Sequence, residues 1–108
     1  MHPKRITQEL YAHHAELCKV FSHAKRFELI NVLREQELSV GDLAKRLKIS
    51  IGNLSQHLAM MRSRGVVSVR KDGNVVYYRL ANPKMLKAFD LIREILYEQI
   101  HRTRCLLK

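Results

Sequence analysis

A small, mostly helical domain carrying one β-hairpin (α+β in class) is what these 108 residues predict. Three observations lead there. Apolar side chains recur at helical spacing through both ends of the chain, which hold one proline each and no glycine. All four glycines (Gly41, Gly52, Gly65 and Gly73) fall within residues 38–80, so the chain turns most often there. Only that block holds two runs of β-branched and aromatic residues, with an Asp-Gly pair between them.

The elements follow in order. From Thr7 to about Phe21, the apolar residues Leu10, Ala15, Leu17 and Phe21 keep a helical period. A second helix runs from Ala24 to about Arg34, with Phe27, Leu29, Ile30 and Leu33 turned inward. Ser39-Val-Gly-Asp42 reads as a capping box. It opens a short helix whose inner face is Val40, Leu43, Ala44 and Leu47. Lys48-Ile49 is a connection, and Ser50 caps a helix that runs to about Arg64 and stops at Gly65. Val66–Lys71 and Val75–Leu80 are strands, and Lys71-Asp-Gly-Asn74 between them is a hairpin signal. Asn82-Pro83 starts a last helix that reaches about Cys105. No linker, repeat or low-complexity tract divides the chain, so 1–108 is expected to be one domain.

Charge narrows the partner. Lys and Arg number 20 against 10 Asp and Glu, a formal +10. Residues 38–80 hold 8 of the basic side chains and only Asp42 and Asp72 as acids, a local +6 against +1 before and +3 after. That concentration points to a polyanion. No apolar run approaches the ~18–20 residues of a membrane span, which argues against a membrane partner. Met1–Leu10 is polar and lacks a signal-peptide core, and two cysteines 87 positions apart are no disulfide framework. The expected location is the cytoplasm, with both thiols reduced.

The middle block supplies the means. Two short helices joined by a tight turn, followed at once by a hairpin, describe a winged helix–turn–helix: residues 39–64, then a wing over 66–80. A wheel at roughly 100° per residue sets Leu54, Leu58, Met61 and Ile51 on the buried side of the 50–64 helix. Gly52, Asn53, Gln56, Ala59 and Met60 fall on the far side, with Ser55 flanking and no acid among them. Asn53 and Gln56 suit bidentate bonds to adenine, while Ser50 and Ser55 read less specifically. Glycine at 52 lets the helix come close to DNA. Lys45, Lys48, Arg62 and Arg64, with Arg70, Lys71 and Asn74 on the wing, are placed for phosphates, which position the protein rather than specify the site. His57, at the border of the buried side, is expected to be packed or phosphate-facing.

Four stretches taken together resemble one known family. They are Phe21-Ser-His-Ala-Lys-Arg26, Glu37-Leu-Ser-Val-Gly-Asp-Leu-Ala44, Ile49-Ser-Ile-Gly-Asn-Leu-Ser-Gln-His-Leu58, and Val69-Arg-Lys-Asp-Gly-Asn-Val-Val-Tyr-Tyr-Arg-Leu80. In this order they resemble the ArsR/SmtB repressors over residues 15–100. The resemblance implies a homodimeric repressor on a near-palindromic operator in double-stranded DNA, released when an inducer binds. It implies dimerisation through the first and last helices, 7–21 and 84–105. The last helix agrees, since Met85, Leu86, Phe89, Ile92 and Leu96 are joined by Ala88, Leu91 and Ile95, more than one core contact needs.

The family's inducer sites are where the chain departs. Ser39-Val40-Gly41 stands where a Cys-Val-Cys would bind metalloids or metals. Asp90 and His101 occupy two positions of an interhelical metal site, but Ala88 and Arg104 occupy the other two. Asn31 stands where a thiol-sensing branch carries cysteine. What remains is Cys18 and Cys105, each with a histidine four residues earlier, His14 and His101. An i, i+4 His/Cys pair shares one helical face, and two such pairs could form a Cys₂His₂ set for zinc. The thiols alone suit a soft ion such as arsenite or Cu(I), or a disulfide or polysulfide bridge. Cys18 as a small buried hydrophobe is the third reading, with no inducer at all. No cofactor is required; a metal or metalloid ion enters only as inducer. The same basic face could instead dock on an acidic protein. An enzyme is not expected, because no paired carboxylates, Gly-rich phosphate loop or Ser/His/Asp set is present.

Overall fold

The computed structural model describes residues 7–106, with the side chains of 105 and 106 excepted. The first two helices are α1 (Gln8–Lys19) and α2 (Ala24–Val32). Then come β1 (Leu38–Ser39), α3 (Val40–Leu47), α4 (Ile51–Ser63), β2 (Val67–Asp72), β3 (Val75–Leu80) and α5 (Lys84–Leu106). Short polar side chains start the helices. Thr7 Oγ1 accepts from Leu10 N–H, Ser39 Oγ from Asp42 N–H and Ser50 Oγ from Asn53 N–H, at 3.1–3.2 Å. Asn82 Oδ1 accepts from Lys84 N–H at 3.0 Å as α5 begins.

One core joins α2, α3, α4 and the base of the hairpin. Leu29, Leu43, Leu54, Leu58, Met61, Val20 and Val66 are sealed within it. Tyr78 and Leu80 of β3 and Met85, Leu86 and Phe89 of α5 pack on its edge. The chain's three phenylalanines meet where α2 and α5 approach the end of α1. Phe21 lies 4.6 Å from Phe89 between ring centroids, and Phe27 lies 5.5 Å from Phe89. Phe27 nevertheless stays 40% exposed, less buried than its spacing predicts.

The sheet has three strands in the order β1-β3-β2, all antiparallel. The β1 strand is unforeseen: two residues are too few to show alternation, and Ser39 doubles as the cap of α3. The hairpin turn sits one residue later than its Asp-Gly signal suggests. Asp72 pairs with Val75, so Gly73 and Asn74 form the loop, with Gly73 at φ 61°. Only one of the two loop residues has positive φ, which is the arrangement that wants glycine first. Gly65, at φ 73°, ends α4 as predicted.

The turn between α3 and α4 is made by Lys48 in the left-handed region, φ 57°, where glycine is the usual choice. The first turn of α2 braces this joint. Lys25 Nζ donates to the carbonyl of Leu47 at 3.1 Å, satisfying an orphan acceptor at the end of α3. Arg26 reaches two ways: Nη1 donates to the carbonyl of Val20 at 3.0 Å and Nε to His57 Nδ1 on α4 at 3.1 Å.

Candidate nucleic-acid interface

Leu54, Leu58 and Met61 anchor α4 to the core on one side. On the opposite side Gly52, Asn53, Ser55, Gln56, Ala59 and Met60 are all exposed, as the wheel predicts. The exception is Ile51, 55% exposed rather than buried. A wheel gives azimuth and not depth along the axis, and the buried side of α4 begins at Leu54. Ser50, assigned to base or phosphate contact, uses its oxygen to cap α4 and keeps its hydroxyl proton to donate.

A Cβ built on Gly52 would meet nothing nearer than Ser50 Oγ at 4.0 Å. Nothing inside the protein therefore requires glycine there, and Gly is a poor helix former. The expected result for Gly52→Ala is a gain in stability of up to about 1 kcal/mol, together with weaker DNA binding. Thermal melts and a binding isotherm on the same preparation check both halves.

The cations around this face fall into two groups. Lys45, Lys48, Arg62 and Lys71 are exposed, and among the described residues none of them is bonded to an acid. Asn74, at the tip of the wing, is exposed too. Arg64 and Arg70 are engaged elsewhere. Arg64 Nη2 bonds Glu16 Oε2 of α1 at 2.8 Å, so it ties the end of α4 to α1. Arg70 is held by Glu37 and lies over the ring of Tyr77, at 4.6 Å from Cζ to centroid. Glu37 is the acid on this face that the sequence gives no sign of; the register of β1 against β3 brings it to Arg70.

His57 is packed rather than phosphate-facing. Partial burial, then the charge of Arg26, then His23 at 5.2 Å between ring centroids, hold it below the ordinary histidine range. Its Nδ1 accepts from Arg26, so the neutral ring is the one that fits. Because the folded state resists protonating His57, stability present above pH 6.5 is lost as pH falls below it. Glu16, Glu37 and Asp90, held low by Lys19, Arg70 and Arg34, lose their pairing only below the ordinary carboxylate range. A melting series between pH 7 and 5 should therefore show a fall in Tm that is smaller in His57→Gln.

The proposed sensing residues are only partly visible. Cys18 is a free, exposed thiol on α1, which removes the buried-hydrophobe reading for a single chain. His14 is exposed one turn before it, and His101 is exposed on α5. The Cys105 side chain lies outside the described residues. Among the described residues no group of three or more His, Cys, Asp or Glu side chains could hold a metal ion. Asp90 is committed to a bidentate pair with Arg34, at 2.7 and 2.8 Å.

A helix–turn–helix whose second helix presents an exposed, acid-free face, followed by a hairpin that completes a three-stranded sheet and forms a wing, defines a winged-helix DNA-binding protein. Residues 23–69 match the model of the bacterial regulatory protein, arsR family. Transcriptional activator HlyU of Vibrio cholerae is 35% identical over 79 residues, 73% of either chain. Rv0081 of Mycobacterium tuberculosis, an uncharacterized HTH-type transcriptional regulator, is 34% identical over 91 residues, 83% of this chain and 80% of that one. Its crystal structure superposes with a TM-score of 0.80 over 89% of this chain and 97% of that one. The homodimeric winged helix–turn–helix domain of Mb0332 from Mycobacterium bovis, at 21% identity, shares the fold with a TM-score of 0.80 over 94% and 95%. The chain belongs to the ArsR family of bacterial regulatory proteins, which are DNA-binding transcriptional regulators and not enzymes. Among the described residues no helix is long and apolar enough to cross a membrane.

Proposed function

We propose that the chain is a homodimeric transcriptional repressor that seats α4 in the major groove of a near-palindromic operator. The observation that carries this is the outer face of α4, exposed from Gly52 to Met60 and free of acids. Asn53 and Gln56 read base edges, with Ser55 beside them. Lys45, Lys48 and Arg62 hold phosphates around the helix, and Lys71 and Asn74 hold them from the wing.

The second copy is argued from surface. The chain exposes 8560 Å², whereas a compact monomer of this mass exposes about 6200 Å². Its radius of gyration is 16.6 Å, against about 13 Å for a compact chain of this length. Leu10 and Tyr11 on α1, and Leu91, Ile92, Ile95, Leu96 and Ile100 on α5, are all at least 45% exposed. An apolar surface of that kind marks an interface, and a second α5 with α1 beside it is the matching partner.

The test is equilibrium binding to a duplex selected from a random pool, over a salt series, with sedimentation of the free protein. Expected are a dimer and a selected palindromic site preferred over random duplex. A monomer, or equal affinity for all duplexes, would remove the proposal, and negligible affinity for any duplex at moderate salt would favour docking on an acidic protein.

The inducer acts in this proposal through the thiols of Cys18 and Cys105. Exposure of Cys18 on α1 supports this. Cys18→Ser and Cys105→Ser are each expected to abolish release from DNA and leave affinity unchanged. Titrating the DNA-bound dimer with soft metals, arsenite and persulfide donors, followed by intact mass, reads this out. A retained metal would bring in His14 and His101; normal release from both variants would exclude the thiols.

A further inference from the structure

The outer face of the sheet carries a row of side chains that the DNA-binding reading leaves unexplained. Ser39 of β1 pairs with Tyr77 of β3, and Tyr77 pairs with Arg70 of β2. Glu37, two residues before Ser39, therefore rises on the same face. There it accepts from Arg70 Nε through both carboxylate oxygens at 3.1 Å and from Nη2 through Oε1. Tyr77 supports the guanidinium from its ring face, and Asp72 Oδ2 lies 3.9 Å from Nη1. Arg79, next but one to Tyr77 on β3, adds a second positive charge toward Glu37, and the carboxylate is held below its ordinary range by these arginines, Arg70 first.

We infer that Glu37 withholds Arg70 from the DNA backbone, so that the wing grips phosphate with Lys71 and its tip while Arg70 serves the protein. This rests on the DNA-binding reading above and adds an acid that limits affinity. The chemistry favours it in two ways. A fork of hydrogen bonds from one guanidinium edge to one carboxylate is directional, and stacking on Tyr77 fixes the plane in advance. The β1–β3 ladder keeps Glu37 within reach whether or not DNA is present. An exposed pair of this kind contributes little to folding, so its loss leaves the domain intact. With Glu37 neutralised, Arg70, three residues before the loop at Gly73, keeps only the longer 3.9 Å contact with Asp72, and its Nε edge is released toward a phosphate.

The experiment compares wild type, Glu37→Gln and the double variant Glu37→Gln/Arg70→Gln on one selected duplex, by fluorescence anisotropy over a potassium chloride series. Gln keeps the size and one acceptor of Glu and removes the charge. Glu37→Gln is expected to bind more tightly, with a log K against log salt slope steeper by about 0.9 for each new phosphate contact. The double variant, which deletes a neutral pair, is expected to return to the wild-type slope. A merely structural pair would move the melting temperature and leave the slope alone. The inference is overturned if Glu37→Gln has the wild-type slope. It is equally overturned if the double variant is flatter than wild type, because Arg70 would then already hold a phosphate. Wild-type protein with no salt-dependent affinity for any duplex would overturn the DNA-binding reading itself, and this inference with it.

Discussion

Ile92→Glu combined with Leu96→Glu is expected to turn the dimer into a folded monomer and weaken operator binding by a factor of at least about 100, the lower end of what bivalency contributes. The two positions continue a stripe that begins in the core. Met85 and Phe89 pack on the domain, and Ile92 and Leu96 follow at the same helical spacing but are half exposed, 51% and 50%. Each copy would place two carboxylates in an apolar seam, where burial without partners is strongly unfavourable. The single domain keeps its own core, so its folding should survive. Sedimentation velocity gives the mass, circular dichroism the fold, and anisotropy on a full operator and on a half-site the affinity. The variant should bind full site and half-site alike. A mutant that remains dimeric, or a monomer that binds the full site as tightly as wild type, would place the interface elsewhere.

Leu58→Ala should be a severely damaging truncation on α4. The side chain is sealed at 0% exposure between Leu54 and Met61 on the anchored side of the helix. Removing a fully buried leucine costs about 2–5 kcal/mol, out of a total of about 5–15 kcal/mol for a domain. At this size each kcal/mol is worth about 4–8 °C in Tm. Met60→Ala, two residues on, is the control: Met60 is 42% exposed and faces away from the core. Its expected effect is within about 0.5 kcal/mol. Should the two results be exchanged, α4 would be turned over, and the side assigned to DNA would be its inner side.

The fold was legible where local chemistry decides local structure. Ser39 and Ser50 announce their helices because a hydroxyl satisfies an orphan N–H three residues on, and Gly65 announces a stop because it must take a positive φ. The outer face of α4 was legible because Leu54, Leu58 and Met61 fix its rotation. Ile51 and Phe27 were misjudged for the opposite reason: periodicity gives direction, while depth depends on what lies alongside. Lys48 gave no signal, since lysine is not a residue type that marks a left-handed turn. The engagement of Arg70, Arg64 and Arg34 was invisible, as their acids lie 33, 48 and 56 residues away in the chain. Charge counting located the basic block and could not say which of its cations were already taken.

In the proposed complex α4 enters the major groove and a dimer presents it twice. Hydroxyl-radical footprinting of the selected duplex, paired with interference by methylation of guanine N7, tests it most directly, because N7 lies in the major groove. Two protected windows are expected, with centres about one helical turn apart, ~10–10.5 base pairs, or a multiple of that. Within each window, methylation should block binding, and Gln56→Ala should relax the base preference while leaving both windows in place. A single continuous footprint indifferent to N7 methylation would contradict it.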